Sequence, residues 1–278
     1  MVRLGRSAAS LVCFLFLYSC SPSKDEMGDR LEGLGIAVTQ VKFLKNLEIY
    51  SKYYPNGSSY VNLNFKYSGE KLTSYMQEKT GFESKIEYNQ AKKITKITAQ
   101  DGAYSDFTYD KDNRLLSIQR TSGENKDVVR LFYSDAGDSP ISISKKSTRG
   151  SGYVLSEMDN FTYDESGKNI LQIESKTKVA DGINVSNKYV VSTYAYDKKN
   201  SPFKLFPKEF ILFLCTIEHI GGYALSANNS FTLEIKYNGE VVNKLTMSSL
   251  YDTDNYLTYQ KSGNAYYSKF LYSKLGKQ

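Results

Sequence analysis

The chain has 278 residues, with 36 Lys and Arg against 30 Asp and Glu, one His, three Cys, 24 Tyr and no Trp. A net charge of +6 spread along the sequence is too mild and too dispersed to argue for nucleic acid. A lone histidine leaves little room for histidine-based nucleophilic or metal chemistry.

Arg3 and Arg6 flank an apolar run from Ala8 to Leu17, followed by Leu17, Tyr18, Ser19 and Cys20. Positive flank, apolar run and small residue before the cut make a secretory leader over 1–19. Ten helical residues cover about 15 Å of a hydrocarbon core of about 30 Å, so the run is not a retained span. The four residues ending at Cys20 resemble a bacterial lipobox, which implies lipid on Cys20 and a membrane partner through that lipid. Lys24, Asp25 and Glu26 resemble the surface-export signal of Bacteroidota lipoproteins and imply outer-membrane anchoring with surface display; a periplasm-facing anchor is the alternative. Residues 20–40 read as a charged, flexible tether. With Cys13 lost and Cys20 acylated, Cys215 is the last thiol of a 259-residue mature chain, and an intrachain disulfide is excluded.

From residue 41 to 278 the sequence reads as one β domain built on a tyrosine-anchored repeat. Copies end at Tyr67, Tyr88, Tyr109, Tyr133, Tyr163, Tyr196, Tyr237 and Tyr259, spaced 21, 21, 24, 30, 33, 41 and 22 residues apart. Before the anchor, apolar and polar residues alternate, as in Val61, Leu63, Phe65 and Tyr67 against Asn62, Asn64 and Lys66, the period of a strand with one wet face. After it come Asp, Asn, Ser or Gly, which suit tight turns. A new apolar pair then opens the returning strand. The fold class is all-β: an antiparallel meander of repeated hairpins forming a large curved sheet or barrel-like domain.

The copies running from Phe107, Tyr109 and Asp110 to Asn113, Arg114 and Leu115, and from Phe161, Tyr163 and Asp164 to Gly167, resemble the YD repeat of RHS-type proteins. A nearer likeness, which takes in Tyr196, Asp197, Asn200, Pro202 and Phe203, is to YD-like lipoproteins of unknown function in Bacteroidota. It covers the chain from about Leu47 onward and implies a porin-like antiparallel fold.

One segment breaks the rhythm. Pro207, Lys208 and Glu209 open an apolar stretch that closes at Gly221 and Gly222, and this punctuation points to a helix or plug near 203–222; two buried strands are the competing reading. A true membrane barrel is disfavoured, because charged and amide residues interrupt most candidate lipid faces.

The chemistry-bearing residues are few. His219 and Cys215, four apart, read as packed core neighbours. Asp110 with Asp112 and Asp252 with Asp254 begin like calcium loops but lack the glycine and distal Glu, so they read as turn formers. Glu157, Asp159, Asp164 and Glu165 are the carboxylates nearest one another in sequence, yet proximity along the chain is not catalytic geometry. No catalytic, metal or cofactor constellation emerges. The solvent-reachable aromatics, Tyr53, Tyr54 and Tyr60 with Tyr266 and Tyr267, are the candidate ligand-binding residues. The leading expectation is a surface-anchored, noncatalytic module binding a glycan, lipid or protein; a wrapping envelope role and a carboxylate-dependent hydrolase follow.

Overall fold

The computed structural model describes residues 42–274 except 55–56, 136, 151, 182–183, 219 and 265. The expected leader, Cys20 and the Lys24, Asp25, Glu26 segment therefore lie outside the described residues, as does His219. The strands are β1 (Lys42–Tyr54), β2 (Gly57–Ser68), β3 (Lys71–Gln77), β4 (Phe82–Tyr88), β5 (Ile94–Ala99) and β6 (Tyr104–Tyr109). Next come β7 (Leu115–Ser122), β8 (Asn125–Tyr133), β9 (Pro140–Thr148), β10 (Val154–Tyr163), β11 (Ile170–Asp181) and β12 (Asn184–Asn200). After an insertion follow β13 (Asn228–Tyr237), β14 (Glu240–Thr246), β15 (Ser248–Tyr251), β16 (Leu257–Ser262) and β17 (Tyr266–Lys274).

Each strand pairs antiparallel with its successor from β1 to β14 and from β15 to β17. β14 and β15 act as one traverse bent at Met247, the first half pairing with β13 and the second with β16. β1 also pairs with β17, from Lys42–Lys274 to Ser51–Tyr266, which joins the two ends of the meander. The result is a single nearly closed barrel-like sheet of seventeen strands.

The alternation read from the sequence sets the two faces. Leu47, Leu63, Phe65, Ile86, Ile97, Phe107, Ile118, Val129, Leu131 and Ile143 are buried inside. Charged side chains such as Lys66, Lys85, Arg130 and Lys146 are exposed outside. The interior is filled by residues 202–225: a 3-10 turn at Pro202–Leu205, helix α1 at Lys208–Thr216, and a second 3-10 turn at Gly222–Leu225. Helix, not strand, is therefore the outcome for this segment. Residues 209–214 of α1 are buried, with Phe210 and Leu214 at 0% exposure, while Lys208 at its start is exposed. Phe210 and Phe213 stack on each other and meet Tyr75 from β3. Ile94 N–H donates to Glu209 Oε1 at 3.3 Å, Tyr75 Oη donates to Glu218 at 2.9 Å, and Lys145 Nζ donates to the Thr216 carbonyl at 2.7 Å. These bonds tie both ends of the plug to the wall.

The anchor tyrosines share one geometry. The β5–β6 ladder ends at Lys96–Asp106, and three residues beyond Asp106 the Tyr109 hydroxyl donates to the Ile94 carbonyl at 2.6 Å. The same offset recurs for Tyr67 on Leu44, Tyr88 on Leu72, Tyr133 on Leu115, Tyr163 on Pro140 and Tyr272 on Leu257. Each hydroxyl thus satisfies a carbonyl that the neighbouring strand has stopped reaching. Tyr196 differs: its hydroxyl accepts from Ser226 Oγ, which in turn accepts from Ile170 N–H. Opposite each anchor the returning strand carries a one-residue bulge, with Leu116, Ile141 and Leu171 as extra residues turned outward. The acid after the tyrosine builds the turn: Asp110 Oδ1 accepts from Asp112 and Arg114 N–H, and Asp252 Oδ1 from Asp254 and Tyr256 N–H. Asn113 and Asn255 supply the left-handed backbone, at φ 58° and 63°.

Two of the eight sequence anchors are corrected. Tyr237 sits at the opposite end of the barrel, exposed, before the Asn238–Gly239 hairpin turn, and Tyr259 lies within β16 beyond the turn. Tyr251 holds the anchor position there, opposite Leu257, and the Asp252 turn follows it.

Candidate functional site

A groove of about 830 Å³ lies on the outer face, crossing β8 to β12 in the half of the barrel that carries the Asn238 turn. Strand register builds it from two rows. One runs Val128, Lys146, Ser156, Lys178, Asn187 across successive strands, and the other runs Arg130, Ser144, Met158, Lys176, Tyr189. Alternation aims these side chains outward while Lys145, Glu157 and Asp159 turn inward. Arg130, Lys146, Lys176, Lys178 and Lys188 are all exposed, and among the described residues no ion pair engages them. Lys176 Nζ lies 6.0 Å from the Tyr189 ring centroid, and Met158, Val128 and Tyr189 give the groove an apolar component.

The tyrosines singled out from the sequence divide. Tyr60 and Tyr267 face outward on either side of Tyr50, because Tyr50 pairs with Tyr60 on β2 and with Tyr267 on β17. Tyr50 and Tyr267 stack with centroids 5.3 Å apart. Tyr267 Oη donates to Glu48 Oε1 at 2.8 Å and Lys269 Nζ to Glu48 Oε2 at 3.1 Å. Partial burial raises the Glu48 carboxyl, but these two donors outweigh it and leave the group below its ordinary value. Tyr266 is a correction: one residue along β17 reverses the face, so it points inward and its hydroxyl meets that of Tyr223 at 3.2 Å. Tyr53 and Tyr54 lie in the last turnward residues of β1, and their side chains are outside the described residues.

Two acids converge inside. Glu157 and Asp159, neighbours on the inner face of β10, line an interior cavity of about 230 Å³ with Lys145, Ser175, Ser192, Tyr194 and Cys215. Burial is the main cause that pushes both carboxyls up, Asp159 adding to it for Glu157, while burial pushes Lys145 down. Asp159 Oδ1 is buried without a hydrogen-bond partner. Two strand residues span roughly 7 Å, within the range of a glycosidase pair. The volume falls below the roughly 300–1,000 Å³ of ligand pockets, and the plug lies against it, so a sugar has no room between the acids. Asp164 is different: it spends its oxygens on a turn with Ser166, Lys168 and Asn169, and although partial burial opposes them these bonds bring its carboxyl down to about 2. Burial pushes the Cys215 thiol far up, which makes it an inert core group.

No protein family and no curated protein matches this sequence. Among solved structures, a porin-like protein from Bacteroides vulgatus ATCC 8482 is similar over 84% of this chain and 100% of its own, at 10% identity and a TM-score of 0.51. A porin-like protein from Bacteroides uniformis ATCC 8492 aligns over 83% of this chain and 98% of its own, at 11% identity and a TM-score of 0.36. The first of these shares the fold.

Proposed function

We propose that this protein is a noncatalytic binding module of the bacterial envelope, lipid-anchored at Cys20 and carrying its ligand surface on the outside of the barrel. The observation that carries the reading is the outer groove of about 830 Å³, an open concavity whose lining combines several exposed cations with apolar side chains. The interior is unsuited to transport or to wrapping a cargo, because α1 and its flanking turns fill it. The outer wall is equally unsuited to hydrocarbon: a lipid-facing Lys or Arg at mid-membrane costs about 2–4 kcal/mol, and Lys66, Lys85, Lys146 and Lys176 all face outward. The apolar-in, polar-out pattern fits a barrel held at a membrane by lipid rather than set within it. The similarity to porin-like proteins is consistent with an envelope protein.

Thermal unfolding of the full chain against panels of glycans, lipids and proteins tests this reading, with Ser144→Trp as the groove-blocking variant. A ligand at a hundred times its dissociation constant stabilises by about 2.7 kcal/mol. The reading expects a shift in the native chain that Ser144→Trp abolishes. A shift that survives in Ser144→Trp, or none with any panel, overturns it.

A further inference from the structure

We infer that the groove takes a linear anionic polysaccharide laid across the strands, an inference that rests on reading the groove as the ligand surface and names the ligand. Lys146 and Lys178 stand in one cross-strand row with Ser156 between them, and Arg130 and Lys176 stand in the next with Ser144 and Met158 between them. Strands lie about 4.8 Å apart, so the cations of a row recur at roughly 10–15 Å across the sheet, separated by small or apolar side chains.

This is the complement of a polymer whose charges recur along its length with uncharged surface between them. The ring faces of a sugar chain have apolar C–H surface to rest on Met158 and Tyr189, and its carboxylates or sulfates reach the ammonium and guanidinium groups of the two rows. Asp159 is turned into the interior cavity; Glu157 lines the groove as well as that cavity, and Glu174 on β11 bonds the Tyr189 hydroxyl, but among the described residues neither forms an ion pair with the cations of the two rows. A compact anion such as a lipid phosphate engages one or two cations and leaves the others unmatched. Two parallel rows spanning five strands favour an extended ligand.

The electrostatic character sets the energetics. Exposed cations attract a polyanion at a distance and hold it through charge-assisted contacts, each worth roughly tenfold in affinity, and the attraction is screened as salt rises.

The test measures binding of the full chain to alginate, dextran sulfate, neutral dextran and phosphatidylglycerol vesicles at low and at physiological salt. It is repeated with Lys146→Gln/Lys178→Gln, with Arg130→Gln/Lys176→Gln, and with the control Lys85→Gln/Lys261→Gln, whose exposed lysines on β4 and β16 lie outside the groove. All these positions are exposed, so the fold should survive each change. The expected result is binding to alginate or dextran sulfate and not to neutral dextran, weakened roughly a hundredfold by either groove pair and less than threefold by the control pair. Equal loss in groove and control variants overturns the inference by reducing it to general charge attraction. Binding to vesicles but not to the polysaccharides overturns it in favour of a lipid ligand. Binding to none of the four overturns the polyanion while leaving the groove reading to its own test, a ligand whose thermal shift Ser144→Trp abolishes.

Discussion

Replacing Tyr109 with Phe removes one oxygen and nothing else from the wall of the barrel. In the native chain that oxygen donates to the Ile94 carbonyl at 2.6 Å, two residues past the last β5–β6 pair, and Ile94 has 0% exposure. The phenylalanine ring fills the same space, so no cavity forms and the loss is confined to one hydrogen bond and one orphaned carbonyl. Leaving a buried acceptor unsatisfied costs about 1–3 kcal/mol. The half-buried ring lets some water approach, which places the expected loss at about 1–2 kcal/mol, a fall in Tm of roughly 2–8 °C for a domain of this size. Urea unfolding followed by far-ultraviolet circular dichroism, with Tyr237→Phe as the comparison, gives the answer. Tyr237 is exposed at 38% and lies at the other end of the barrel, so its substitution should stay within about 0.5 kcal/mol. Equal, negligible losses in both variants would refute the carbonyl-capping role of the anchors.

Three further outcomes follow from the same structure. Burial pushes the hydroxyls of Tyr88 and Tyr133 up to about 12, above the value near 10 of an unfolded tyrosine. The folded state therefore keeps protons the unfolded state releases; stability is intact below about pH 10 and is lost as pH climbs through 12, and tyrosinate absorbance should rise in step with loss of circular dichroism. Phe210→Ala, at 0% exposure in the first turn of α1, should lose about 3–5 kcal/mol in urea unfolding. Glu157→Gln should raise Tm at neutral pH, because its carboxyl is pushed up by burial and by Asp159, and the gain should shrink as pH falls into the ordinary carboxyl range; a lower Tm at neutral pH would contradict this.

Much of the architecture is legible before any coordinates. Alternation along β2 and β13, turn residues after Tyr67, Tyr109 and Tyr163, and Pro207 with Gly221 and Gly222 around α1 are local signals, and local signals survive in a sequence. The anchor position of Tyr251 was hidden because the motif at Tyr237 is chemically the same on either end of a hairpin; what distinguishes the ends is the partner each hydroxyl reaches, Asp197 Oδ2 for Tyr251, a contact between strands. The inward turn of Tyr266 beside the outward Tyr267 follows from a one-residue change of face that an adjacent pair of tyrosines cannot announce. The groove was invisible for the same reason at larger scale. Arg130, Lys146, Lys176 and Lys178 are scattered along the chain and meet only through three successive registers.

The barrel's interior is filled by its own chain, and thiol accessibility tests that packing most directly. Cys215 lies on α1, its Sγ 3.3 Å from the Gly221 carbonyl, and what accessible surface it keeps faces the interior cavity. In a chain carrying Cys13→Ser and Cys20→Ser it is the only thiol. A bulky aromatic disulfide reagent should leave it unmodified under native conditions and label it at the rate of global unfolding as urea is added. Rapid, stoichiometric labelling of the native protein would mean an open lumen and would contradict the plugged barrel.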